Sequence, residues 1–190
     1  MIPSIAQCFE LMEQYAMLPN IRAHSLMVGR VAGLIGSELA RAGRRLSLEL
    51  IVSGALLHDI AKTATLETEL RHDVLGREIC LQHGLDELAE IVAEHVVLKG
   101  GAPERCTEKE IVYYADKRVL HDEVVTLEAR LDYIIHRYGN GDEGLHARIR
   151  QNFAQAHAVE ERLFTELDFS PEELGERLGR DLFLLEAFQR

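Results

Sequence analysis

SLELIVSGALLHDIAK, residues 47–62, is the stretch whose reading decides the fold. Ser47 has the chemistry of a helix N-cap, and from it Leu48, Ile51, Val52, Ala55, Asp59 and Lys62 fall on one inward line at helical spacing. His58 lies on the flank of that line, beside Ile51. A carboxylate and an imidazole facing a core cost several kcal/mol each if they are left unpaired. The same anomaly recurs at His24, His72, His95 and Asp116, each on an otherwise apolar helical stripe. A shared metal site is the most economical way to satisfy all of them.

Working outward from this segment, almost every part of the chain scans with helical period, and none shows sustained strand alternation. An all-α fold is expected. Ile5, Phe9, Met12 and Ala16 mark a first helix that ends at Pro19-Asn20, and Asn20 can cap the next one. In that second helix Ile21, His24, Val28, Val31 and Ile35 form a stripe running to a stop at Gly43. After the 47–62 helix, His72, Gly76, Ile79 and His83 align; Gly76, one turn from His72, would let another backbone come close. From a cap at Asp86, the stripe Leu88, Ile91, Val92 ends on His95.

Val96 to Cys106, with Gly100, Gly101 and Pro103, reads as a loop. Thr107-Glu108-Lys109-Glu110 has the form of a capping box, and its helix turns Ala115, Asp116 and Val119 inward. A helix through Leu127, Leu131 and Tyr138 closes at Gly139-Asn140-Gly141, and a long one follows from Leu145 to Leu167. The Gly139–Gly144 segment is too short for an EF-hand and reads as a helix connection. Ser170-Pro171-Glu172-Glu173 opens a last helix that runs to the C-terminus. The expected organisation is one domain over residues 1–190, with a core at about 20–125 and a helical extension at about 126–190. The Phe- and Leu-rich stripes of the extension are expected to add core or to form a homodimer face.

Composition agrees with a globular chain: 190 residues, 47% hydrophobic, with only 4 prolines to interrupt helices. No apolar run approaches the roughly 18 to 20 residues of a membrane span, and the N-terminus has no basic stretch followed by an apolar one. A cytoplasmic protein is expected, with no membrane partner. Cys8, Cys80 and Cys106 are odd in number and far apart, which argues for reduced packing residues. With 32 acidic against 21 basic residues the formal charge is -11, which disfavours long nucleic acid. A small phosphorylated substrate needs only a metal and a few local cations.

Nitrogen and carboxylate ligands with open coordination positions suit a metal that activates water. His24, His58, Asp59 and Asp116 could supply one ion from three helices, and His72 and His95 could complete a second, with Asp59 between the two. The ordered set His24, His58-Asp59, Asp116 resembles the HD-domain superfamily of metal-dependent phosphohydrolases, over roughly Asn20 to Val125. His72 in His72-Asp73-Val74-Leu75-Gly76 and His95 in Ala93-Glu94-His95 resemble its six-ligand, dinuclear branch, which includes symmetrical dinucleoside tetraphosphate hydrolases.

The resemblance implies an HD-type helical bundle that hydrolyses a phosphoester or phosphoanhydride in a small metabolite, a nucleotide or dinucleotide being the expectation, by metal-activated hydroxide. It also supports a role for Lys62, one turn beyond His58-Asp59, in holding phosphate or giving a proton. Lys99, Lys117 and Arg118 are candidate phosphate contacts. One or two divalent ions are expected, iron or manganese first, with cobalt, nickel, zinc or magnesium as alternatives. Two other readings stay open: an HD-type di-iron oxygenase, and a metal-stabilised regulatory or ligand-binding module with little turnover. His83, His121, His136, His146 and His157 read as surface or structural residues, and Asp122 beside His121 lacks a second matching set.

Overall fold

A computed structural model describes residues 1–100 and 104–180. Gly101 and Pro103 of the expected loop, and residues 181–190, over which the last helix was expected to run, lie outside the described residues. Among the described residues the fold is all-α apart from one miniature hairpin: α1 (Ile5–Gln14), α2 (Pro19–Arg41), α3 (Leu48–Leu57), α4 (Lys62–Thr65), α5 (His72–Gln82), α6 (Asp86–Glu94), α7 (Glu108–Lys117), β1 (Val119–Leu120), β2 (Glu123–Val124), α8 (Leu127–Tyr138), α9 (Glu143–Glu166), a 3-10 turn at Pro171–Glu173 and α10 (Leu174–Arg180). The antiparallel pairing of Val119 with Val124 and of Leu120 with Glu123 was not expected from the sequence. It turns at His121, whose φ of 56° is left-handed.

Local chemistry sets the helix boundaries. The Ser47 hydroxyl accepts the Leu50 amide at 3.2 Å and opens α3. Thr107 and Glu110 exchange reciprocal bonds in a capping box at α7, and Asp142 caps α9. Two expected caps are displaced by one or two residues. Pro19 occupies the first turn of α2 behind Leu18, where its missing N–H costs nothing, so Asn20 is already helical. Asp86 likewise sits inside the first turn of α6, placing its charge at the positive end of the helix dipole.

A larger correction concerns residues 47–62, which are not one helix. α3 stops at Leu57; the Ile60 amide then reaches the Leu57 carbonyl, and the Lys62 amide that of Asp59, in successive three-residue turns. These tighter turns set His58, whose backbone is still right-handed helical, and Asp59 at a junction of two apolar clusters. Ile51 and Ala55 belong to the cluster that α2, α7 and α9 share, through Val31, Ile35, Ile111, Phe153 and Val159. Leu56, Leu57 and Ile60 belong to the other, with Met12, Ile79, Leu88 and Val92. α3 is therefore buried on both sides, which explains its nearly continuous apolar run.

Gly76 marks the tightest approach near this junction. A Cβ there would stand 2.7 Å from Val92 Cγ1 and 3.5 Å from Ile60 Cγ2. What comes close is thus a pair of packed side chains rather than a second backbone. Because Val92 is fully buried and cannot give way cheaply, Gly76→Val is expected to destabilise the protein by about 1–3 kcal/mol, the scale of core overpacking. Urea unfolding of the variant beside the parent measures this, and an unchanged midpoint would show that α5 and α6 can separate freely.

Candidate metal centre

Five elements deliver six side chains to one buried point. His24 comes from the middle of α2, His58 and Asp59 from the turn after α3, His72 from the first turn of α5, His95 from the end of α6 and Asp116 from α7. His58 and Asp59 are 0% and 1% exposed. Three of the four imidazoles have their ring orientation fixed by a main-chain carbonyl. Nδ1 of His24 lies 2.9 Å from the His121 oxygen, that of His58 2.7 Å from Ala55 and that of His95 2.7 Å from Val92. A carbonyl can only accept, so each Nδ1 carries the hydrogen and each Nε2 turns inward.

The inward atoms fall into two groups that share Asp59. One comprises His24, His58 and Asp59, and the other Asp59, His72 and His95, with ligand atoms in each group within 4.8 Å of one another. Asp59 divides its oxygens between them. Oδ2 lies 3.4 Å from His58 Nε2, while Oδ1 lies 3.4 Å from His72 Nε2 and 3.5 Å from His95 Nε2. Asp116 joins the first group, with Oδ1 3.0 Å from His24 Nε2 and 3.7 Å from His58 Nε2.

These atoms suit cations. His58 Nε2 and Asp59 Oδ1 are buried without any hydrogen-bond partner, although such groups are almost always satisfied. His72 Nε2 and His95 Nε2 face each other at 3.1 Å. Burial works to raise the Asp59 carboxyl, yet His58 and Lys62 overcome it and hold it well below the ordinary carboxylate range. Asp116 is likewise held low, with Lys117 and His24 outweighing burial. Burial and the neighbouring His95 push His72 down to about 4, leaving its ring neutral. Against the pull of burial, Asp59 and its neighbour Asp116 favour the protonated His58 ring; once a cation takes the place of that proton, two ionised carboxylates and the inward imidazole nitrogens form a donor set for divalent first-row metals, with Asp59 able to ligate on both sides.

The candidate cations fare differently from one another. Lys62 Nζ donates to Asp59 Oδ2 at 2.7 Å and remains about one-third exposed towards the adjoining cavity. Lys117 is buried: it donates to Asp116 Oδ2 at 3.0 Å and to the His95 carbonyl, and lies 4.3 Å from the Tyr113 ring centre. Its ammonium fixes Asp116 and the loop after α6, with little left for a substrate. Arg118 points away altogether, to Tyr114, Glu160 and the carbonyls of Val125 and Pro171, and ties α7 to α9 and the last turn. The sequence expectation of a phosphate contact does not fit this placement, because all its donating nitrogens are spent inside the protein. Lys99 lines a separate cavity of about 200 Å³.

Other side chains take places that the sequence did not single out. A cavity of about 630 Å³ adjoins Asp59, His72, His95 and Asp116 and is walled on its far side by α8 and α9, including Arg130 and Arg148. Asn152 of α9 donates to the Val96 carbonyl at 2.8 Å and accepts from Tyr113, holding the segment just after His95. Nothing in the spacing of these residues separates them from ordinary surface positions. Among the expected structural histidines, His83 bonds Tyr15 at 2.9 Å and closes α1 onto the end of α5. Cys8, Cys80 and Cys106 are free and buried, and burial pushes the Cys8 and Cys80 thiols up to about 12. No helix among the described residues is long and apolar enough to cross a membrane.

The HD-domain family model matches residues 21–119, just over half of the chain, and spans every residue of the cluster from His24 to Asp116. The chain belongs to the HD-domain family. Ribonuclease Y of Thermosipho melanesiensis is 36% identical over 96 residues, which are 50% of this chain but 17% of that protein. Ribonuclease Y of Mycoplasma mycoides is 38% identical over 69 residues, 36% of this chain and 15% of that protein. An uncharacterised protein of Methanocaldococcus jannaschii is 33% identical over 89 residues, 47% of this chain and 52% of that protein. No solved structure matches the chain. The shared part is thus the HD module, while α8, α9 and α10 lie beyond the family match.

The geometry makes the metal content divisible. Asp59→Asn is expected to lose metal from both groups and to melt at a lower temperature, because ligands that bind only the folded state stabilise it. His72→Ala and His95→Ala are expected to empty the second group while sparing the first. Elemental analysis of anaerobically purified variants checks this, and parental stoichiometry in all three would remove these residues from the ligand set.

Proposed function

We propose that this HD-domain protein hydrolyses a phosphoester or phosphoanhydride bond in a small phosphorylated metabolite, with a nucleotide or dinucleotide as substrate. The observation that carries this reading is Asp59, whose two buried oxygens face separate sets of imidazoles. Such a carboxylate suits a pair of neighbouring divalent ions, iron or manganese first by donor type, which when bound would supply an activated water and neutralise charge on the phosphoryl oxygens.

The remaining roles belong to the chain itself. The carbonyls of His121, Ala55 and Val92 hold three imidazoles in their working tautomer. Lys117 keeps Asp116 turned so that Oδ1 faces His24 and His58. Lys62 stands where Asp59 meets the cavity, placed to hold a phosphoryl oxygen or to give a proton to the leaving group. The relatives named ribonuclease Y support phosphodiester chemistry on this module. A net charge of -11 and a cavity walled by α8 and α9 favour a short substrate over a long strand.

Turnover of a panel of nucleotides and dinucleotides in oxygen-18 water under nitrogen tests the reading. The label is expected in a phosphate-bearing product without O2; strict dependence on O2 would overturn hydrolysis. Lys62→Ala is expected to keep parental metal content and to lose roughly 10²-fold in rate, the scale of a positioned acid or base. A metal-loaded variant with parental kinetics would reduce Lys62 to an end-of-helix charge.

A further inference from the structure

The cavity beside the metal centre has a second half that the HD module does not supply. Its near wall is Asp59, His72, His95 and Asp116, and its far wall comes from α8 and α9, after the family match ends at residue 119. Arg130 of α8 and Arg148 of α9 both line it. Among the described residues neither makes a hydrogen bond or an ion pair. The Arg130 Nε is buried without a partner, and its guanidinium carbon stands 5.7 Å from the Tyr133 ring centre. By contrast, Arg44, Arg118 and Arg162 are each spent on a glutamate: Glu166, Glu160 and Glu110 respectively.

Arg148 feels the Asp142 carboxylate at the start of α9 without pairing with it, and Arg130 has no carboxylate partner, so in a chain with eleven more acids than bases both guanidinium groups on this cavity keep donors for an anion from outside. A guanidinium is the planar donor best matched to phosphate. Lys62 and Asp116 stand at the metal side of the same cavity, so an anion at the arginines would be a second one, distinct from the group at the metals.

The rim adds an independent observation. Leu66, Leu70, Val97 and Tyr138 are 59%, 63%, 45% and 52% exposed, placing them among the large hydrophobic side chains left open on the described surface. All four line this one cavity. Clustered uncovered apolar side chains around a charged pocket mark a ligand with a flat apolar end.

We propose that α8 and α9 form the specificity half of the site: Arg130 and Arg148 grip a second phosphate, and the rim from Leu66 to Tyr138 receives a nucleobase. The preferred ligand is therefore a nucleoside carrying at least two phosphates rather than a monophosphate. This rests on the hydrolytic reading above for what happens at the metals, but its binding prediction stands without turnover.

Calorimetry on the metal-loaded protein, with α,β-methylene adenosine diphosphate, adenosine monophosphate and inorganic phosphate as probes, tests it. The diphosphate analogue is expected to bind roughly tenfold or more tightly than the monophosphate. Arg130→Gln and Arg148→Gln should each weaken the analogue by roughly tenfold, with a far smaller effect on the monophosphate and on inorganic phosphate. Arg130→Lys should recover part of the loss, and elemental analysis and thermal melting should report parental metal and stability. Equal affinity for di- and monophosphate in the parent, or equal losses for every probe in the variants, would overturn the proposal. Selective binding without hydrolysis would instead retain it and remove the hydrolytic reading; hydrolysis of monophosphate esters with no preference for a second phosphate would do the reverse.

Discussion

Asp59 is an ionised carboxylate at the junction of two apolar clusters, and much of the fold is arranged to make that tolerable. An isolated buried carboxylate would take up a proton instead of staying charged. Here His58 and Lys62 hold it ionised against the pull of burial. Its Oδ1 still has no hydrogen-bond partner. The site is therefore incomplete in protein terms alone, and bound cations would complete it. α3 gives way to tighter turns at this point, where two consecutive residues, His58 and Asp59, present their side chains to one group of donor atoms.

The histidines around Asp59 are oriented by one device used twice. His58 and His95 each follow the last residue of a helix and each bonds the carbonyl three residues back, Ala55 or Val92. Helix C-termini leave carbonyls without amide partners, so an imidazole there satisfies an oxygen that the helix cannot and in return has its tautomer set. His24 lies within α2 and borrows its carbonyl from His121 instead. The left-handed turn at His121 and the two-residue ladder around it thus have a place in the site although the His121 side chain is exposed.

How much of this could be read from the chain follows from the kind of signal each residue gives. His24, Asp59, His72, His95 and Asp116 were visible because each interrupts an apolar stripe of period 3.6, with His58 on the flank of one, and a polar group there is anomalous wherever the helices pack. Asn20 and Asp86 were placed at caps that Leu18 and Leu85 occupy, since local propensity leaves helix ends uncertain by a residue or two. Cations gave no such signal. Lys117 and Arg118 looked like surface charges available to a phosphate, but at the end of α7 both are buried, one against Asp116 and Tyr113, the other against Glu160 and Tyr114. Arg130 and Arg148 looked the same in sequence and stand on the cavity. Which cations are spent and which are free depends on how α8 and α9 come back across the bundle, and no local pattern encodes that.

The return of α9 also joins the cavity to the core. Along this one helix Arg148, Ile149 and Asn152 face the cavity, Phe153 borders both cavity and core, and Ala156, Val159 and Leu163 pack with α2 and α7. Asn152 is held by Tyr113 and in turn holds the Val96 carbonyl, one residue beyond His95. The far wall of the cavity and a candidate metal ligand are therefore braced by the same two side chains, Tyr113 and Asn152, and the carbonyls they hold. A loop could vary in shape without moving the candidate ligands, whereas a wall built on α9 cannot shift far without disturbing either the core or the His95 segment. That coupling holds the distance between the near and far walls steady, which a pocket needs if it is to read the spacing of two groups on one small molecule.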